Sequence, residues 1–127
     1  MNANNYQKFV ISLLSPASKQ DQMVNAALGL AGEVGEYVDM VKKHKHHGHD
    51  FDRLKAKLEL GDIAFYLASA ADEQGITLEE VMQCNVDKLT KRYPKGVFDA
   101  EDSKAKRDET GNYTGNLEGL STISTIE

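Results

Sequence analysis

Apolar residues recur at steps of three and four along most of this chain, and no stretch alternates long enough to read as a strand. Phe9, Val10, Leu13 and Leu14 form a stripe on a helix expected over about Ala3 to Leu14, which Ser15-Pro16 ends. A second helix is expected from about Gln22 to Lys43. Its core stripe is read as Val24, Ala27, Leu28, Ala31, Val34, Val38 and Val41, and Lys42-Lys43 suits the negative end of its dipole. Gly48 then marks a loop. A third helix is expected from about Phe51 to Gln74, with Gly75 as its stop. Its segment LGDIAFYLASAA is apolar nearly all round and holds one charge, Asp62, so it is expected in the middle of a bundle. Thr77 and Glu80 have capping-box spacing, and a fourth helix follows to about Arg92, where Pro94 and Gly96 close it.

The pattern predicts an all-α four-helix bundle over residues 1–98. Residues 99–127 form an extension that either lacks fixed structure or packs as an arm on another subunit, and no internal repeat stands out. A chain of 127 residues suits one domain with a modest core. Of the formal charge of −5, the extension carries −4, from seven acidic and three basic side chains. The body is thus near neutral, without the basic footprint that binding a nucleic-acid polymer requires. No apolar run reaches the roughly 20 residues of a membrane span, and MNANNYQKF lacks the basic start and apolar core of a signal peptide. The single cysteine, Cys84, cannot form an internal disulfide. The expected compartment is the cytoplasm, with Cys84 a small buried thiol.

Candidate chemistry lies in the acids. Residues three apart share a helix face, with Cβ atoms about 5–6 Å apart. Glu33 and Glu36 therefore project together from the second helix, and Glu59 and Asp62 from the third. Antiparallel packing across the short loop would let the two pairs converge as an oxygen cage for a hard cation such as magnesium. Asp62 is the sharpest signal, because its neighbours Leu60, Ile63, Ala64, Phe65 and Tyr66 predict burial, and a buried carboxylate needs a compensating charge. The chain has no Glu-x-x-His, so a di-iron carboxylate bundle is excluded.

EVGE at 33–36, a gap of 22 residues, and ELGD at 59–62 resemble the Glu-x-x-Glu…Glu-x-x-Asp signature of the MazG-like all-α nucleotide pyrophosphohydrolases. The similarity continues through GLAGEVGEYVDMVKK, LELGDIAFYLA and NVDKLTKRYPKG, from about Gln22 to Phe98. The short chain resembles the compact stand-alone members. The resemblance implies hydrolysis of a (deoxy)nucleoside triphosphate to the monophosphate and pyrophosphate, in house-cleaning of the nucleotide pool. It implies Mg²⁺, with Mn²⁺ as a substitute, and homodimers or homotetramers. Glu33, Glu36, Glu59 and Asp62 would hold the metal and carry catalysis. Asn85 and Lys88 match positions the family uses near phosphates and sugar. Read from the residues themselves, Lys88, Lys91 and Arg92 are a basic cluster that complements the dipole of the fourth helix, with one or two of them, Lys88 first, also binding phosphate, and Lys42, Lys43 or a histidine would reach substrate phosphates from the loop. A phosphoribosyl-ATP or dUTP pyrophosphatase would share fold and motif. A nucleotide-binding or interaction protein without turnover is the reading from another class.

Several residues carry two readings each. Asn85 falls on the inward face of the fourth helix, where its amide would bond either a ligand or a neighbouring helix. Tyr6, Gln7, Phe65 and Tyr66 are either core or the lining of a base pocket. Asp39, one step beyond Glu36, is an extra ligand or a supporting residue. His44, His46, His47 and His49 invite a metal reading, but Lys42, Lys43 and Lys45 repel a cation there and a glycine-containing loop is a poor scaffold. The His49-Asp50 pair lacks the further ligands of an HD-type phosphohydrolase. The expectation is an exposed polar loop.

Overall fold

The computed structural model of the protein describes residues 1–109. These residues form α1 (Ala3–Leu13), α2 (Pro16–Gln20), α3 (Gln22–His46), α4 (Arg53–Glu73), α5 (Leu78–Arg92), α6 (Ala100–Ala105) and a 3₁₀ turn at Arg107–Glu109. There is no strand among the described residues. The all-α expectation holds, and the four expected helices are present.

The boundaries show where local chemistry differs from expectation. Ser15-Pro16 ends α1 but also starts α2: the Ser15 hydroxyl accepts from the Ser18 N–H, and Pro16 takes the first helical position. Helix α3 runs three residues further than expected, so His44 and His46 lie on its last turn rather than in a loop. Asp52 caps α4 by accepting from the Leu54 and Lys55 N–H groups. Gly75, at φ 71°, turns the chain out of α4 while the Ile76 N–H bonds back to the Ala71 carbonyl. Helix α6 falls inside the segment expected to be irregular. Asp99 caps it through the Glu101 and Asp102 N–H groups.

The chain divides into two compact units, Met1–Leu78 and Glu79–Glu127. In the first, α4 packs against both α3 and α1, and α2 touches α3. Val10, Ala68 and Leu78 form its small core, with Ala3, Tyr6, Ile11 and Phe65 against them. Gln7 is buried there with its amide fully used: Nε2 donates to the carbonyls of Ala68 (3.2 Å) and Ile76 (3.0 Å), and Oε1 accepts from the Leu78 N–H (2.9 Å). In the second unit Arg92, at the end of α5, pairs with Asp108, and Arg107 pairs with Asp102 at 2.6 Å. Tyr93 leans on Phe98 with ring centroids 5.5 Å apart. Residues 110–127, most of the expected arm, lie outside the described residues.

Burial expectations on three helices are corrected. Helix α3 turns a different face inward: Ala26 and Met40 are buried, while Val24, Val34, Val38 (57% exposed) and Leu28 (70%) face out. Positions 26, 30, 33, 37 and 40 also recur at steps of three and four, so α3 has two candidate faces, and small Ala26 and Gly29 permit closer packing. Helix α4 is covered by α1 and α3 but leaves Leu54, Leu58, Leu60 and Leu67 exposed. Asp62 is accordingly exposed rather than buried. On α5, Cys84 and Asn85 are exposed. The inward face expected for Asn85 from its spacing to Leu78 and Met82 fails because only Leu78, at the start of the helix, is buried, while Met82 is exposed.

Candidate metal and phosphate site

The register between α3 and α4 can be followed residue by residue. Gln22, at the start of α3, donates through Nε2 to the Ser69 carbonyl and the Asp72 carboxylate of late α4, both at 3.0 Å. The helices therefore run antiparallel. Further along, the Tyr66 ring lies against Gly29, where an added Cβ would collide with ring atoms. One turn beyond each of these, Glu33 on α3 meets Asp62 and Glu59 on α4.

One carboxylate oxygen from each of Glu33, Glu59 and Asp62 lies within 4.8 Å of the others, with Glu33 and Glu59 half-buried. Ligands of magnesium sit at about 2.0–2.1 Å, so opposite ligands are about 4.2 Å apart, and small side-chain rotations would bring three such oxygens into one shell. Burial, and then the charges of Asp62, Glu59 and Glu36, raise the Glu33 carboxyl above the usual glutamate range. A carboxyl held up by burial and by three neighbouring negative charges is short of positive charge, which a divalent cation would supply. The donor set, all oxygen, fits a hard ion.

Glu36, one turn from Glu33, is exposed and stands outside this three-oxygen group. A Cβ added at Gly32, Gly35 or Gly61 would meet nothing within 4 Å, so the helix surfaces beside the acids are bare. The Tyr6 hydroxyl donates to the Gly61 carbonyl, inside ELGD, at 3.3 Å. Burial and the Asp62 charge raise its pKa. Tyr6 thus adjoins the acids, which its helical spacing did not reveal. Gln7 lies in the core, Phe65 packs on the core, and Tyr66 occupies the Gly29 notch.

Asp39 does not join the acids. Its carboxylate takes Lys42 and Lys43, each at 2.6 Å, and those hydrogen bonds lower its pKa to about 2. The same contact, with a smaller share from Glu36, raises the pKa of Lys43. Both ammonium groups keep further donors for an anion. Among the described residues no histidine joins a metal-capable group. His44 Nδ1 bonds the His49 carbonyl at 2.8 Å, and its ring meets Phe51 edge-on at 5.5 Å, so it fastens the turn after α3. In the second unit Lys88 lies near enough to Asp108 to help lower its pKa, and the Arg92 guanidinium is engaged by that same carboxylate.

A family model described as the MazG nucleotide pyrophosphohydrolase domain matches residues 22–97. The chain is similar to a protein of Mycobacterium phage L5 named "Gene 37 protein", with 35% identity over 75 residues. The match covers 56% of this chain and 66% of the phage protein, just under two thirds of that relative's length. No solved structure matches. No helix among the described residues is long and apolar enough to cross a membrane.

Proposed function

Because the chain belongs to the MazG nucleotide pyrophosphohydrolase family, we propose that it hydrolyses (deoxy)nucleoside triphosphates between the α- and β-phosphates, releasing the monophosphate and pyrophosphate. The observation that carries this reading is the convergence of Glu33, Glu59 and Asp62 from two antiparallel helices. These carboxylates would hold Mg²⁺, or Mn²⁺ in its place, with Glu36 completing the set from the next turn of α3. The ion would supply charge for the phosphoryl oxygens and the leaving pyrophosphate. One carboxylate of this set would accept the attacking water's proton. Lys43 and Lys88 are the first candidates for phosphate contacts and Asn85 for the sugar, while Arg92 would have to share its guanidinium with Asp108.

The same proposal includes a homodimer or homotetramer acting in the cytoplasm. Leu28 at 70% exposure and Leu54 at 65% lie on helices α3 and α4, alongside Val24, Val38 and Leu58. So much exposed aliphatic surface on the helices that carry the acids is a disposition for self-association. Light scattering on the purified protein reads the assembly, and a monomer at micromolar concentration removes this part.

The deciding experiment measures pyrophosphate release from a panel of ribo- and deoxynucleoside triphosphates, dUTP and phosphoribosyl-ATP, with Mg²⁺ and with EDTA. Turnover that needs Mg²⁺ and is lost by about a hundred-fold or more in Glu33→Gln and Asp62→Asn is the expected result. No turnover on any member of the panel overturns the enzyme reading.

A further inference from the structure

The acids converge only if α3 and α4 hold one separation and one register, and a feature one turn below them controls both. Gly29 lies four residues before Glu33, and Tyr66 four residues after Asp62. On antiparallel helices both steps move the same way, by about 6 Å along the axes. The Tyr66 ring fills the notch left by the missing side chain of Gly29, so a Cβ there would collide with ring atoms rather than with a flexible chain end. Elsewhere on α3, Gly32 and Gly35 face open space. Of these three glycines, Gly29 alone has its absent side chain replaced by a residue of the facing helix. Phe65, meeting Tyr66 edge-on with centroids 5.2 Å apart, braces that ring from the core side.

We propose that the Tyr66–Gly29 contact is the spacer that sets the distance between α3 and α4, making both of them positioning residues for the Glu33, Glu59 and Asp62 cluster. The proposal rests on the metal reading of those acids. Its geometric part stands apart from that reading. Any side chain at 29 must lever α3 away from α4 or expel the ring, and either movement shifts Glu33 relative to Asp62. Replacing the ring by a small side chain would let the helices settle closer and spoil the cluster from the opposite direction.

Two measurements test this. In solution NMR of the metal-free wild type, the Gly29 Hα protons are expected to be shifted upfield by the Tyr66 ring and to share cross-peaks with it. Absence of both overturns the proposal, whatever the protein does with metal. Mn²⁺ binding is then followed by the EPR signal of the free ion, with helicity checked by circular dichroism. Gly29→Ala and Tyr66→Ala are each expected to weaken binding by at least about ten-fold, the scale of lost support around metal ligands. Tyr66→Phe, which keeps the ring, and Gly32→Ala, which adds the same methyl to open space, should stay within about three-fold of wild type. If Gly29→Ala fails to fold, Tyr66→Ala is read alone. Wild-type affinity in either variant overturns the spacer. A wild type that binds no Mn²⁺ refutes the metal reading, and the NMR contact then decides the packing claim alone.

Discussion

Asp108 accepts hydrogen bonds from both Nε and Nη2 of Arg92, each 2.5 Å long, and so fastens the segment after α6 to the end of α5. The guanidinium holds the Asp108 carboxyl below the usual aspartate range. A carboxyl whose folded pKa is depressed contributes stability above its unfolded value, about 3.9. That contribution is lost as pH falls through the folded value. Asp99 and Asp39 shift in the same direction. Thermal unfolding of the wild type should therefore shift to lower temperature between about pH 4 and pH 2. Asp108→Asn should unfold several degrees lower at neutral pH and lose part of that acid dependence. A variant with the wild-type profile would show that the pair adds nothing.

Asp39→Asn separates a ligand from a neighbour. Asp39 continues the three-residue spacing of Glu33 and Glu36, but its oxygens are occupied by Lys42 and Lys43. The half-maximal Mg²⁺ concentration of Asp39→Asn should therefore stay within about two-fold of wild type, against the 10–100-fold change expected where a metal's surroundings are disturbed. The Michaelis constant for the triphosphate should move instead, because the two ammonium groups lose the carboxylate that holds them. A large change in the Mg²⁺ requirement would place Asp39 in the metal's shell.

The meeting of Glu33 with Glu59 and Asp62 was legible because each short motif fixes two side chains on one helix face, a local property of three-residue spacing, although Glu36 stands outside the group. Which face of α3 turns inward was not. Val24, Leu28 and Val38 outweigh Ala26, Leu30 and Met40 in hydrophobicity, yet the smaller set packs on α4 because Ala26 and Gly29 let the helices approach. Periodicity finds a stripe without saying what covers it. The same gap accounts for Asp62: an apolar run predicts burial, but within one chain α4 has helices on only part of its surface. Helix α6 had a readable signal, Asp99 as cap before AEDSKA, that the polar segment around it obscured.

Replacing His46, His47 and His49 by Asn should leave turnover within about two-fold of wild type, as for surface changes away from any special contact. These side chains are exposed, and no histidine lies in the acidic group. His44 differs, because its ring closes the turn onto the His49 carbonyl and Phe51. Adding His44→Ala should increase amide hydrogen exchange between residues 44 and 51 while Mg²⁺-dependent activity survives. Complete loss of activity in the triple variant would return the histidines to the site.

The strongest effect on stability is expected from Gln7, far from any acid in sequence. Its amide bonds the Ala68 carbonyl on α4 and the Ile76 carbonyl, and accepts from the Leu78 N–H, so one buried side chain joins α1 to α4 and to the segment that follows. Gln7→Ala leaves the Ile76 carbonyl and the Leu78 N–H without their partner. At about 1–3 kcal/mol for each buried group left unmade, the loss should be about 3 kcal/mol, read from urea unfolding at unchanged m-value. Gln7→Glu tests the cause, since it keeps the shape and the acceptor but replaces the amide donor with a buried charge. At neutral pH it should be at least as destabilised as Gln7→Ala. Burial raises a carboxyl's pKa, so as pH falls toward 5 the side chain should regain a proton and with it an O–H donor. The gap to wild type should then narrow. A gap that does not change with pH would mean that Gln7 acts by filling space rather than through its hydrogen bonds.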